Sequence, residues 1–190
     1  MRISINTAFL VFFLLLFTCC GSSDQQAPRF SAYFDIKSFV NSQISLLGSK
    51  NPIVKKTMFS DGMTEIRSQK NVNWKKELEL FVQADINKPA YGKSYKIFRP
   101  DSLTYEYILK PGETLPVQTL KIVVDNNSGK PRLIRAVIGS KNKLYESQKY
   151  VELRCKTIMG EWSIVAYHIK GYQKLAVLDS SKFEIKCSVY

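Results

Sequence analysis

Histidine is nearly missing from this 190-residue chain, His168 being the only one. A Ser-His-Asp triad or a multi-His metal site is thereby excluded except around that residue. Only four cysteines are present, and no two of them form a Cys-x-x-Cys pair. No Gly-rich phosphate loop, His-Glu-x-x-His or calcium-loop spacing occurs, so the motifs that would announce nucleotide, zinc or calcium chemistry are absent. Nine Gly and seven Pro are too few for a collagen-like or low-complexity chain. Acids are scarce beside bases, 16 against 28, which leaves a formal charge of +12. What is present, 45% apolar and 12% aromatic residues, is enough to build one core and excludes a disordered composition.

The apolar run from Ala8 to Phe17 is short. At 1.5 Å per residue it covers about 15 Å as a helix, roughly half a hydrocarbon layer. With Arg2 before it and Thr18-Cys19-Cys20-Gly21 after it, the run reads as the apolar part of an export signal. Leu16-Phe17-Thr18-Cys19 resembles the processing box of bacterial lipoproteins, which implies a signal over 1–18 and a lipidated Cys19, with Cys20 as the alternative. No Asp follows either cysteine, and by the same resemblance this points to the outer membrane. Residues 19–32 then form the lipidated cysteine and a Ser-, Gln- and Pro-containing tether, and 33–190 a single domain. Secretion as a soluble protein and retention as an uncleaved anchor are the other readings of the signal. Cleavage would remove Arg2 alone among the charged residues, so the basicity belongs to the mature domain.

Within that domain, Ile36, Phe39, Val40, Ile44 and Leu47 recur at helical spacing between Asp35, a fitting N-cap, and Gly48, a fitting stop. Asp61-Gly62 is a hairpin signal joining 53–59 to 63–68; it pairs Phe59 with Thr64 and Thr57 with Ile66, leaving Lys56, Met58, Glu65 and Arg67 on a solvated face. Trp74, Leu78 and Phe81 predict a second helix over 73–85. Beyond Tyr91 the pattern turns to period two, with candidate strands at 93–98, 103–110, 117–125, 132–139, 143–156, 162–170, 174–178 and 182–189, separated by turn residues that include Gly160 and Gly171. The expectation is an α+β domain: two helices around a hairpin, then a long antiparallel meander of about seven or eight strands.

Candidate functional residues are few. His168 shares the more polar face of its strand with Lys170. Cys155 and Cys187 both lie on apolar faces, compatible with a disulfide in an oxidising compartment or with two buried thiols. Glu106, Glu113, Glu146 and Glu152 occur singly among strands. Lys88, Lys93, Lys96 and Arg99 interleave with Tyr91, Tyr95 and Phe98. Export argues against nucleic acid as their partner and for anionic lipid, lipopolysaccharide phosphates or an acidic envelope protein. The same stretch also reads as a half-buried edge strand whose lysines deter pairing.

No cofactor or metal is implied. The leading expectation is a lipid-anchored envelope protein, periplasmic or surface-facing, that binds and does not catalyse. An alternative, drawn from element order alone, resembles the periplasmic lipoprotein carriers and their outer-membrane receptor, in which an incomplete barrel encloses acyl chains under helices. A third is an envelope hydrolase, which would need convergent carboxylates or His168 at the floor of a cleft.

Overall fold

Asp61 and Gly62 take φ of 47° and 88°, the left-handed conformations a two-residue hairpin turn demands. They join β1 (Val54–Ser60) to β2 (Met63–Gln69) in the expected register, Phe59 opposite Thr64 and Thr57 opposite Ile66. This hairpin does not stand apart. β1 also pairs along its whole length with β9 (Ser181–Val189), the last strand of the chain.

Between them run β3 (Tyr95–Phe98), β4 (Thr104–Leu109), β5 (Val117–Val124), β6 (Pro131–Lys141), β7 (Tyr145–Ile158) and β8 (Glu161–Leu175). The computed structural model describes residues 33–190, and these strands make one nine-stranded antiparallel sheet in the order β2-β1-β9-β8-β7-β6-β5-β4-β3. The signal, Cys19, Cys20 and the tether lie outside the described residues.

The expected α+β architecture is not what forms; the fold is mainly β. Only α1 (Ile36–Lys50) is a helix of appreciable length among the described residues. The second predicted helix is broken into α2 (Trp74–Glu77) and α3 (Glu79–Gln83) by Leu78, whose φ of −100° and ψ of 9° leave the helical well. Trp74, Leu78 and Phe81 are all buried, so the apolar spacing reflected contact with the sheet more than a continuous helix.

α1 starts as expected, with Asp35 accepting a hydrogen bond from the Ser38 amide at 2.9 Å. It runs through Gly48 and stops at Asn51, left-handed at φ 44°, whose amide donates to the Leu47 carbonyl. Its buried stripe is Ile36, Val40, Gln43 and Leu47.

Gly171, expected to separate two strands, lies inside β8. A Cβ there would sit 2.4 Å from the Gln148 carbonyl oxygen, so only glycine lets β7 and β8 approach this closely.

The helices cover one face of the sheet. Val54, Tyr107, Leu120, Ile122, Ile134, Val151, Leu153, Ile164, Tyr167 and Cys187 form the buried layer beneath them. The side of β1 expected to be solvated points inward: Lys56 reaches Glu77 of α2 at 2.5 Å, and the Tyr167 hydroxyl donates to the same carboxylate. That cluster ties β1, α2 and β8 together. Phe59 and Thr57 lie on the opposite, open face.

The turns β1–β2, β4–β5, β6–β7 and β8–β9 gather at one end of the sheet, called the upper end below; β3–β4, β5–β6 and β7–β8 lie at the lower end. Among the described residues no helix is long and apolar enough to cross a membrane.

Candidate functional site

The open face is polar because alternate residues of each strand must face water once the helices have claimed the other side. Glu106, Lys121, Arg135, Glu152, His168 and Lys186 stand directly opposite one another on β4 to β9, an unbroken ionisable row across six strands. Glu152 is its anchor. Its carboxylate takes Arg135 and Arg154 at 2.6 Å each and the Tyr150 hydroxyl at 3.0 Å. Burial alone would raise its pKa; the hydrogen bonds from the two guanidiniums and the tyrosine reverse that and hold it below the usual carboxylate range.

Each of the other acids on this face is also engaged. Glu106 meets Lys121 at 2.6 Å, and Glu146 meets Lys141 at 2.9 Å and the Tyr172 hydroxyl at 2.8 Å. Glu184 takes His168 at 2.7 Å and Lys186 at 3.1 Å. His168 does share the open face with Lys170, and its ring packs edge-on to Tyr150 at 6.3 Å. Glu113 lies off the row, in the β4–β5 turn.

Next to this row, toward the upper end, lies a depression of about 550 Å³ lined by Phe59, Val137, Tyr150, Tyr172, Lys170 and Lys182 among others. Lys170 Nζ sits over the Tyr150 ring, 5.3 Å from its centroid. The one acid in the lining is Glu184, already held by His168 and Lys186. The rings of Phe59, Tyr150 and Tyr172 with two lysines offer an apolar floor and positive rim, which suits a ligand with an anionic group on a flat or extended body. The period-two pattern put Lys170 on the face of His168, but it ended that strand before Gly171 and so left Tyr172 out. What it could not show is that β1 closes onto β9 and brings Phe59 alongside.

The sequence-predicted cations are not brought together. Lys88 and Lys93 sit near the upper end of β3, where Lys88 lies 5.1 Å over the Tyr91 ring and the Lys93 carbonyl accepts from Lys110 at 2.5 Å. Lys96 projects from β3 on the open face, opposite Ile108. Arg99, at the lower end, stacks on Tyr105 at 4.2 Å and donates to the Ser102 carbonyl at 2.7 Å. β3 is the sheet's edge, with Tyr95 buried and its hydroxyl bonded to the Val117 carbonyl.

Cys155 and Cys187 are free thiols and no disulfide joins them. They lie on β7 and β9 with β8 between, opposite Ile164 and Tyr167 respectively. Two strand spacings of about 4.8 Å exceed the reach of a disulfide. Burial pushes the Cys155 thiol up to about 12 and raises Cys187 as well.

The layer between helices and sheet is filled: Ile36, Val40, Leu47, Leu78 and Phe81 are at most 1% exposed there. A carrier of acyl chains would need that space as a cavity, so the reading drawn from element order loses its ground. Among the described residues no three His, Cys, Asp or Glu side chains converge to hold a metal. Comparison with protein-family models, with curated proteins and with solved structures finds no match to the chain.

Proposed function

We propose that this chain is a lipid-anchored protein of the bacterial cell envelope, held at the outer membrane through Cys19 or Cys20, that works by binding an anionic partner on the open face of its sheet. The observation that carries the reading is the aromatic depression with Lys170 and Lys182 on its rim and its single acid already engaged by Lys186 and by a hydrogen bond with His168. The export-type N-terminus supplies the compartment, where phosphorylated glycolipids and acidic proteins are the abundant anions. Every carboxylate on the face is held by a cation, which supports binding over general acid–base chemistry.

The test has two arms. Labelling with a radioactive fatty acid should mark the wild type and fail when Cys19 and Cys20 are both replaced by Ala; persistence of the label and of membrane fractionation removes the anchor. Binding of pyrophosphate and of a fluorescein-labelled polyglutamate should weaken by more than about tenfold in Lys170→Gln/Lys182→Gln, in line with about 1 kcal/mol per cation. Unchanged binding by the double variant, or none by the wild type, removes the face as the site.

A further inference from the structure

Three neighbouring turns at the upper end are bonded into one tip. The Ala176 amide donates to the Leu144 carbonyl at 2.9 Å, which joins the β8–β9 turn to the β6–β7 turn. Asp61 of the β1–β2 turn accepts from the Ser181 hydroxyl at 2.9 Å, and its amide donates to the Lys182 carbonyl.

This tip is apolar where it should be polar. Val177 is 89% exposed, Met63 74%, Leu144 73% and Leu178 60%. Turn residues of a monomeric domain are ordinarily Gly, Asn, Asp or Ser, and single exposed apolar side chains carry no message, but four on bonded turns form a patch. Lys141, Lys143, Lys174 and Lys182 lie around the patch, against Asp61, Glu146 and Asp179. Lys143 adjoins Leu144 in the β6–β7 turn, and Lys174 and Lys182 stand one residue inside the turn-facing ends of β8 and β9, so the cations flank the apolar tip as headgroups flank the acyl boundary.

The chain also enters the fold at this end. Tyr33 packs edge-on against Tyr95, the first residue of β3, at 5.7 Å, and its hydroxyl donates to the Tyr91 carbonyl. The 14 residues from Cys19 to 32 could span at most about 50 Å, so a lipid on Cys19 would keep the tip within reach of the same bilayer.

We infer that Met63, Leu144, Val177 and Leu178 form a membrane-contacting tip that enters the interface of an anionic bilayer, with the surrounding lysines among its headgroups. The inference deepens the membrane part of the proposed function, yet its geometry stands without the anchor. Docked this way, the domain stands with its strands toward the bilayer, and the Lys170–Lys182 depression opens just above the headgroup layer.

The full chain, reconstituted into vesicles of three parts phosphatidylglycerol to seven of phosphatidylcholine containing brominated acyl chains, tests it through Val177→Trp. Met159→Trp serves as the control, because Met159 is 97% exposed on the β7–β8 turn at the opposite end. The Val177→Trp signal should be quenched several-fold more than that of Met159→Trp. Pure phosphatidylcholine, or Lys143→Gln/Lys174→Gln, should reduce the excess. Equal quenching at the two ends, or none at either, overturns the inference. So does concentration-dependent self-association in sedimentation that Val177→Glu/Leu178→Glu abolishes, since the patch would then bind a second copy. Mass spectrometry of the same preparation reports the diacylglyceryl group on Cys19 or Cys20, so a missing anchor is distinguished from a missing tip.

Discussion

The side-chain amide of Gln43 on α1 completes the hydrogen bonding of β8, accepting from the Ile164 amide at 3.0 Å and donating to the Trp162 carbonyl at 3.1 Å. β8 needs this because its pairing with β9 ends at Ala166 opposite Ser188, leaving the next backbone groups without a strand. The amide stands in for the missing peptide and locks the helix to the sheet. Replacing Gln43 by Leu should leave a buried amide and a half-buried carbonyl unsatisfied and cost about 2–4 kcal/mol in denaturant unfolding. Hydrogen exchange at the Ile164 amide should accelerate with it. Wild-type exchange there in the variant would mean that the bond contributes nothing.

Glu152 gives the domain an acid-sensitive seam. Its carboxyl is held below the usual range in the folded chain, so the stabilisation is full above the unfolded carboxyl pKa of about 4.3 and drains away as pH falls through the lower folded value. Glu152→Gln should lower stability at pH 7 and flatten the acid limb of the stability profile. An acid limb as steep as the wild type's would assign the titration elsewhere.

Gly171 should tolerate no side chain. A Cβ at 2.4 Å from the Gln148 carbonyl oxygen forces β7 and β8 apart, and Gly171→Ala should destabilise by about 2–3 kcal/mol. Gly48 meets nothing within 4 Å, so Gly48→Ala is the matched control and should be neutral or slightly stabilising. Equal melting temperatures for the two variants would contradict the close approach.

Alkylation followed by peptide mass spectrometry should find Cys155 and Cys187 unmodified in the folded protein and both modified after unfolding. Burial raises both thiols above their ordinary range, which disfavours the reactive thiolate. A peptide cross-linked between Cys155 and Cys187 would contradict the strand order.

Local chemistry was legible in the sequence and long-range pairing was not. Asp61-Gly62 specified a turn and the register of the hairpin around it, because both follow from two residues and the pleat. The stripe of α1 was legible too, and Gln43 lies on it, three residues after Val40 and four before Leu47. Only its polarity hid it. The split at Leu78 was invisible because Trp74, Leu78 and Phe81 keep helical spacing while facing the sheet. Gly171 misled for the opposite reason: a glycine that punctuates a turn and one that admits a neighbouring backbone look alike until the neighbour is known. The site was only partly legible: alternation placed Lys170 beside His168, while the misread Gly171 left Tyr172 outside any strand. Phe59 joins them only through the β1–β9 pairing, which spans nearly the whole domain.

That pairing also bears on timing. Val54 near the start of the domain lies opposite Val189, the penultimate residue, and the Tyr190 amide closes onto the Ile53 carbonyl. The first strand made therefore has no permanent neighbour on that side until the last has been synthesised and delivered. Contacts of such long sequence separation slow folding. Among the described residues the β1–β2 hairpin therefore joins the rest of the sheet only once β9 is in place, which makes this pairing a late event in folding.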